Sequence, residues 1–416
     1  MTKRKDPAKL LIVAIMLFYF SAFALIAAKE LPAGQFGALT LAFAVPIIVW
    51  IGTMILPKLF PGDKLLLSLV NFLCALGVLV LYSTDPSNGI RQCVNYSVGV
   101  IAMVTCVFII RSIKKWEPLA YVLIPLTLFF LASPLLLGKE INGAKNWIYI
   151  SGISLQPSEI AKVLYIVILA HFMSRRKMLP WLILSIGCMG ILMLQKDLGT
   201  ALVYYVTTLF LFYASTSNIP LTVLGVAGGA GAAVVGYQMF AHVKKRVAIW
   251  LNPWSDTLGS SYQIVQSLIA IANGGLFGVG LGLGNPTTIP IYYTDMIFAV
   301  ICEQFGLIFA LCILMMYILI TARGFYIAAD ARHGFHGLIA MGSVVVIAFQ
   351  TFLIVGGVIK LIPLTGVTMP FVSYGGSSLV SSLCIVGLLQ GVGSINEEDI
   401  KEDTALATML IAQETP

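Results

Sequence analysis

The sequence predicts an all-α polytopic membrane protein of about twelve transmembrane helices with one large extracytoplasmic loop. Three observations carry that reading. Hydrophobic residues fill 59% of the 416 positions and charged residues only 10%, against about half and a quarter in soluble domains. Mean hydropathy is +0.96. The apolar residues come in runs of helical length separated by polar corners, and in lipid a helix satisfies its own backbone. Too few charges remain to solvate so apolar a surface. That excludes a soluble enzyme, a disordered chain and a nucleic-acid-binding domain, so no nucleic-acid partner is expected.

The first run, near 10–28, follows Lys3, Arg4, Lys5 and Lys9. It is longer than a signal-peptide core and ends at Lys29-Glu30, so it reads as an uncleaved span. A second run near 38–56 completes an N-terminal unit, 1–64. The core, 65–393, starts with spans near 65–82, 97–110, 118–137, 160–173, 179–195, 198–215 and 220–240. Lys196-Asp197 makes a tight polar corner within that series. The large loop 241–293 follows, then spans near 294–322, 335–359 and 376–393 and an acidic tail, 394–416, expected to be a solvated end. Twelve spans put both termini on one side. The clusters Arg111, Lys114, Lys115 and Arg175, Arg176, Lys177 fall on the side of the basic N-terminus, so both termini are expected in the cytoplasm. Segments 138–159, 241–293 and 360–375 then lie outside. They are rich in Gly, Pro, Trp, Tyr and Ser, and loops of this length are usually functional.

Cys74, Cys93, Cys106, Cys188, Cys302, Cys312 and Cys384 include no C-x-x-C, and all but Cys93 sit in apolar runs, so they read as buried thiols. His333 and His336 have no nearby Cys or carboxylate cluster to complete a metal site. The glycines from Gly274 to Gly284 lack a G-x-G-x-x-G register and a preceding strand, so they are expected to let the backbone turn or approach a ligand. No internal repeat supports an inverted-repeat transporter.

Charges in or beside spans are costly and therefore functional candidates. They are Glu159, Lys162, Asp197, Asp295, Glu303 and Lys360. Glu159 and Lys162, at i and i+3, can pair on one helix face; Asp197 reads equally as a helix N-cap or a ligand contact. The most informative segment runs from Lys244 to Asp256. Lys244, Lys245 and Arg246 suit a phosphate-bearing ligand. Trp250 and Trp254 suit either the membrane interface or the faces of sugars. Asp256 offers one general base, provided its environment raises its pKa. An interfacial aromatic belt with snorkelling lysines is the competing reading.

Five motifs, in order along 65–393, resemble the SEDS (shape, elongation, division and sporulation) family of RodA-, FtsW- and SpoVE-like proteins. They are Gly143-Ala144-Lys145-Asn146-Trp147-Ile148; Gln156-Pro157-Ser158-Glu159 with Lys162; and Gln195-Lys196-Asp197-Leu198-Gly199-Thr200. Asn252-Pro253-Trp254-Ser255-Asp256 with Tyr262, Gln263, Gln266 and Ser267 is the fourth. The fifth runs from Pro363 through Ser373-Tyr374 to Ser378, and Thr294-Asp295 with Glu303 is also similar to that family.

The resemblance implies a ten-helix core behind two extra N-terminal helices, in a bacterial inner membrane. It implies a peptidoglycan glycosyltransferase that polymerises lipid II into β-1,4 glycan, with a class B penicillin-binding protein as transpeptidase partner. It assigns the essential carboxylate to Asp256 and substrate contacts to the other motif residues, with Lys245, Arg246 or a divalent cation (Mg2+ or Mn2+) stabilising the leaving diphosphate. The chain departs from the family pattern at Asn146, Lys196, Tyr293 and Lys360. A lipid II flippase or a non-catalytic scaffold for a transpeptidase are the alternatives.

Overall fold

The apolar runs fold as helices in a computed structural model that describes residues 7–113, 115–141, 144–150 and 153–414. Lys3, Arg4, Lys5, Lys114 and Gly143 lie outside the described residues. The chain opens with α1 (Pro7–Glu30) and α2 (Gly37–Trp50), which continues through a π-turn (Ile51–Ile55) into α3 (Leu56–Leu59). Next come α4 (Lys64–Thr84), α5 (Pro86–Ser112) and α6 (Trp116–Leu137). A small antiparallel sheet follows, β1 (Lys139–Ile141), β2 (Ala144–Ile150) and β3 (Ile153–Leu155), with Tyr149 opposite Ser154. Then come α7 (Pro157–Ser174), α8 (Met178–Leu194), α9 (Leu198–Thr216) and α10 (Ile219–Met239). The large loop holds α11 (Ala241–Leu251) and α12 (Tyr262–Gly274), and α13 (Ile297–Ala329), α14 (Gly334–Val358) and α15 (Gly376–Glu414) complete the chain.

Among the described residues eleven helices are long and apolar enough to cross a membrane, and α8 is a twelfth, shorter apolar helix of 17 residues. The centre of the bundle is α4, apolar and enclosed along nearly its whole length, with α1, α2, α5 and α13 packed against it. The N-terminal pair packs on that centre through polar bonds. Tyr19 donates to the Phe72 carbonyl at 2.7 Å, Asn71 donates to Thr53 at 2.9 Å, and Phe18 stacks on Phe309. Glu30 accepts from both Tyr82 (2.9 Å) and the Ala38 N–H (3.1 Å). Each bond satisfies a group that lipid could not.

Three elements differ from expectation. α5 starts at Pro86 rather than near 97, because Asp85 caps it by accepting from the Ser87 N–H and hydroxyl, and Pro is at home in a first turn. The acidic tail is helical, with exposed side chains from Ile400 to Thr404. α15 runs on to Glu414, since no Gly or Pro interrupts 394–414, and its carboxylates meet cations: Glu398 pairs with Arg111, and Asp399 and Asp403 with Arg332. α13 is broken at Gly306 (φ 83°, ψ 172°).

That break explains the glycine run. Val279 and Gly280 donate to the carbonyls of Glu303 and Gln304 at 2.9 and 3.0 Å. Leu307 and Ile308 donate to Gly275 and Leu276 at 2.9 and 3.2 Å. The loop thus repairs the open turn of α13. A Cβ at Gly278 would stand 2.3 Å from the Gln304 carbonyl oxygen, and one at Gly306 2.4 Å from the Gly278 nitrogen. The glycines let backbone meet backbone.

The sheet, the α8–α9 corner, the large loop and the segment after α14 gather at one end. The Lys145 N–H donates to Gln195 (3.1 Å), Arg246 to the Thr365 carbonyl (2.7 Å) and the Tyr374 N–H to Tyr293 (2.8 Å). The opposite end carries the α13–α14 corner, where Arg323 pairs with Asp63, and Arg175 and Lys177 with Glu117.

Candidate active site

The four connections at the first end enclose a cavity of about 440 Å³. α11 is amphipathic and lays its basic stretch along it, contributing His242, Lys245, Arg246, Ile249 and Trp250. Lys196 enters from the α8–α9 corner, Ser260 and Gln263 from the start of α12, Ile291 and Asp295 from the approach to α13, and Lys360 from the end of α14.

Asp256 ends the 3₁₀ turn Pro253–Asp256 and is exposed at the rim. Its Oδ2 accepts from the Ser260 N–H at 2.7 Å and from the Ser260 hydroxyl at 2.9 Å. The carboxylate is therefore anchored to a residue of the cavity lining. These two bonds, with the Gly259 N–H and the Lys245 charge behind them, hold its carboxyl below the usual range. The sequence reading required a raised pKa. Exposure and the Ser260 donors produce the opposite, a carboxylate that is ionised and fixed in orientation at neutral pH.

Asp295 is the contrasting carboxyl. It is half-buried, and withdrawal from water pushes it up to about 6, opposed by the Arg246 guanidinium. The two side chains flank Gly366, whose left-handed backbone (φ 75°) carries no Cβ between them. His242 is pushed down by burial and by the charges of Arg246 and Lys196. Among the described residues, no ion pair within 4 Å involves Lys196, Lys245, Arg246 or Lys360. Four cations thus face one cavity largely unneutralised.

Of the residues singled out from sequence, Lys245, Arg246, Gln263 and Asp295 line this cavity, and Asp256 stands at its rim. Gln263 donates to the Pro290 carbonyl at 2.9 Å. Asp197 lies one residue from the lining and caps α9, accepting from the Thr200 N–H at 3.1 Å, Asn146 at 2.8 Å and Gln156 at 3.2 Å. Lys145 donates to the Leu135 carbonyl at 2.8 Å, and Trp147 pairs with Lys139 in the sheet. Gln195 is buried and donates to Leu131.

Others are placed elsewhere. Glu159 and Lys162 form a buried pair (2.9 Å) that also holds Gln350 (3.0 Å) and Ser381 (2.6 Å) inside the bundle. Ser158 is buried beside them, its carbonyl accepting from Tyr204. Glu303 is buried behind the glycine loop, accepting from the Asn285 N–H. Ser373 joins Met369 to Thr294, and Tyr374 packs edge-on against Tyr293. Asn252 closes α11, while Tyr262, Gln266 and Ser267 belong to α12, with Ser267 turned inward onto the Gln263 carbonyl.

Lys360 and Trp250, both candidates from sequence, also line the cavity, whereas sequence reasoning did not nominate Lys196, His242 or Ser260 as site residues. Lys196 carried a usable signal, a cation placed beside an apolar span. Ser260 carried none, because its role depends on how the turn folds. The described residues include no group of three His, Cys, Asp or Glu able to hold a metal ion, so no residues are assigned to the divalent cation.

Comparison with known proteins gives one direction. Residues 63–398 match the FTSW_RODA_SPOVE family model, described as "Cell cycle protein". The chain is 36% identical over 361 residues to the peptidoglycan glycosyltransferase RodA of Mycobacterium tuberculosis, covering 79% of this chain and 77% of that protein. It is 36% identical over 358 residues to stage V sporulation protein E of Bacillus subtilis, covering 79% and 96%. The RodA structure from Thermus thermophilus superposes with a TM-score of 0.61 at 27% identity, covering 81% of this chain and 98% of that one. A chain from a peptidoglycan synthase complex, described as coordinating polymerization and crosslinking, gives a TM-score of 0.69 at 28% identity over 81% and 98%.

Proposed function

This chain belongs to the FtsW/RodA/SpoVE cell cycle protein family, and from that membership we infer that it is a multi-pass membrane peptidoglycan glycosyltransferase. Its substrate is lipid II, its product a β-1,4-linked glycan strand, and its reaction a single inverting displacement. The observation that carries this reading is one carboxylate anchored at the rim of a cavity lined by four cations, none of them in an ion pair within 4 Å among the described residues.

In the reaction, Asp256 accepts the proton of the 4-hydroxyl of the acceptor GlcNAc. The new bond from that oxygen to the anomeric carbon of the donor MurNAc forms as the bond from that carbon to the diphosphate oxygen breaks. The electron pair leaves with the polyprenyl diphosphate, and the α-linkage becomes β. Asp256 is a weak base at rest. Proton transfer therefore accompanies carbon–oxygen bond formation, when the hydroxyl acidifies. Lys245 and Arg246 meet the charge that develops on the diphosphate; preorganised donors of this kind are often the largest single contribution to such catalysis. Ser260 fixes the direction in which Asp256 accepts.

Both termini lie in the cytoplasm on this reading, which puts the cavity on the outer face, where the lipid-linked sugar is used. A class B penicillin-binding protein supplies crosslinking, as the likeness to a chain of a synthase complex supports. The test is polymerisation by purified protein. Wild-type protein given lipid II should make glycan chains, and Asp256→Asn should lose about 10²-fold or more of the rate while keeping its melting temperature. Full activity in Asp256→Asn would remove Asp256 from the base role.

A further inference from the structure

Helices commonly end on one residue in left-handed backbone, usually glycine, and a residue with a side chain there carries a cost. Among the described residues six non-glycine residues have left-handed φ. Three of the six line the one cavity: Lys196 (φ 60°), Ile291 (φ 55°) and Lys360 (φ 63°). Long side chains disfavour this conformation because Cβ crowds the following carbonyl. Two of the three are nevertheless lysines.

Both lysines are held from each side. The Lys196 N–H donates to Met193 (3.0 Å), while the neighbouring Gln195 carbonyl accepts from the Lys145 N–H and the Asp197 N–H donates to Leu192. The Asp197 side chain adds three bonds of its own. The Lys360 carbonyl accepts from the Trp250 indole at 3.2 Å, and the Leu361 N–H donates to Gly356 at 2.7 Å. The backbone is thus fixed while neither ammonium has a hydrogen-bond or ion-pair partner among the described residues. A polyprenyl diphosphate carries about two negative charges, which Lys245 and Arg246 already match in number. Lys196 and Lys360 exceed that need, and Asp295 offsets one charge only.

We propose that Lys196 and Lys360, which end α8 and α14 and turn from there into the cavity lining, are phosphate-binding residues whose unpaired ammonium groups take up the diphosphate of the lipid-linked substrate. The inference rests on the glycosyltransferase reading for the identity of the diphosphate, but not for the binding of an anion. The two residues come from different connections, the α8–α9 corner and the end of α14, so an anion in the cavity meets charge from both. Both are positioned for binding rather than for proton transfer, and their loss should fall on KM more than on kcat.

Glycine suits left-handed backbone, which gives a test that separates binding from folding. Binding of inorganic pyrophosphate to the purified full chain is measured by calorimetry, with melting temperature and lipid II kinetics alongside. The double variant Lys196→Gly, Lys360→Gly should bind pyrophosphate at least tenfold more weakly, raise KM for lipid II by a similar factor, and melt no lower than wild type. Lys360→Arg, which keeps the charge, should stay within about threefold of wild type. An unchanged pyrophosphate affinity in the folded double variant overturns the proposal. So does weakened binding that Lys196→Gln, Lys360→Arg and a control at the opposite end, Lys58→Gln, all reproduce equally. If pyrophosphate binding depends on both lysines but the wild type makes no glycan from lipid II, the anion site stands and the glycosyltransferase reading falls.

Discussion

The two ends of the bundle carry similar cations in opposite circumstances. At the end bearing the α13–α14 corner, Arg111, Arg175, Lys177, Arg323 and Arg332 each pair with a carboxylate. At the cavity end, Lys196, Lys245, Arg246 and Lys360 have no such partner within 4 Å among the described residues. Both ends meet water beyond an apolar bundle, so solvation alone does not account for the difference. Paired cations staple helices together. Unpaired ones, converging on one cavity and held there by backbone bonds, keep their charge available to a ligand.

Removing cations from each end sharpens that contrast. The double variant Lys245→Ala, Arg246→Ala should lose about 10²- to 10⁴-fold in kcat/KM for lipid II, since two charge-assisted bonds of roughly 1.5–3 kcal/mol each are at stake. Arg111→Ala combined with Arg332→Ala, at the other end, should leave kcat/KM within about twofold. Equal losses from both pairs would erase the distinction.

The cavity carboxyls provide a smaller effect with a defined sign. Burial raises the folded pKa of Asp295 from 3.8 to about 6. A carboxyl shifted upward stabilises the fold below its ordinary pKa and loses that contribution as pH rises through about 6. Relative to wild type, Asp295→Asn should therefore gain stability between pH 4 and 7, on the order of 1 kcal/mol. Asp256 is shifted downward, so Asp256→Asn should show no such gain in that window. Melting temperatures across pH check both.

The smallest effect lies at the surface of the opposite end. Glu117→Gln breaks the bonds to Arg175 (2.6 Å) and Lys177 (2.7 Å), all three side chains being well exposed. It should lower the melting temperature only slightly, an effect that vanishes at high salt, with polymerisation unchanged.

The same contrast marks what the sequence made legible. Spans could be read because twenty apolar residues admit only a helix in lipid, and α8 was found although it is only 17 residues long. The start of α5 could not be read, because Asn88, Arg91 and Gln92 look like loop until Asp85 is seen to cap the turn. The glycines of 274–284 were noticed, but their partner is the broken turn of α13, about 25 residues further on, and no local pattern announces a long-range backbone contact. In the cavity, Lys245, Arg246 and Asp295 stood out by chemistry. Lys360 stood out as a charge beside a span and Lys196 only as a departure from a family pattern; the shared cavity is what joins them. Ser260 was hidden because a serine in a turn is unremarkable until its N–H and hydroxyl are found on one carboxylate oxygen.

Binding and chemistry can be separated at the rim of the cavity. With lipid II bound at saturating protein, a single-turnover measurement should show wild-type protein releasing polyprenyl diphosphate in step with glycan growth. Asp256→Asn should bind lipid II with near wild-type affinity and release none. Release at the wild-type rate from Asp256→Asn, or loss of binding with the chemical step intact, would contradict a base at the rim acting on a diphosphate held within.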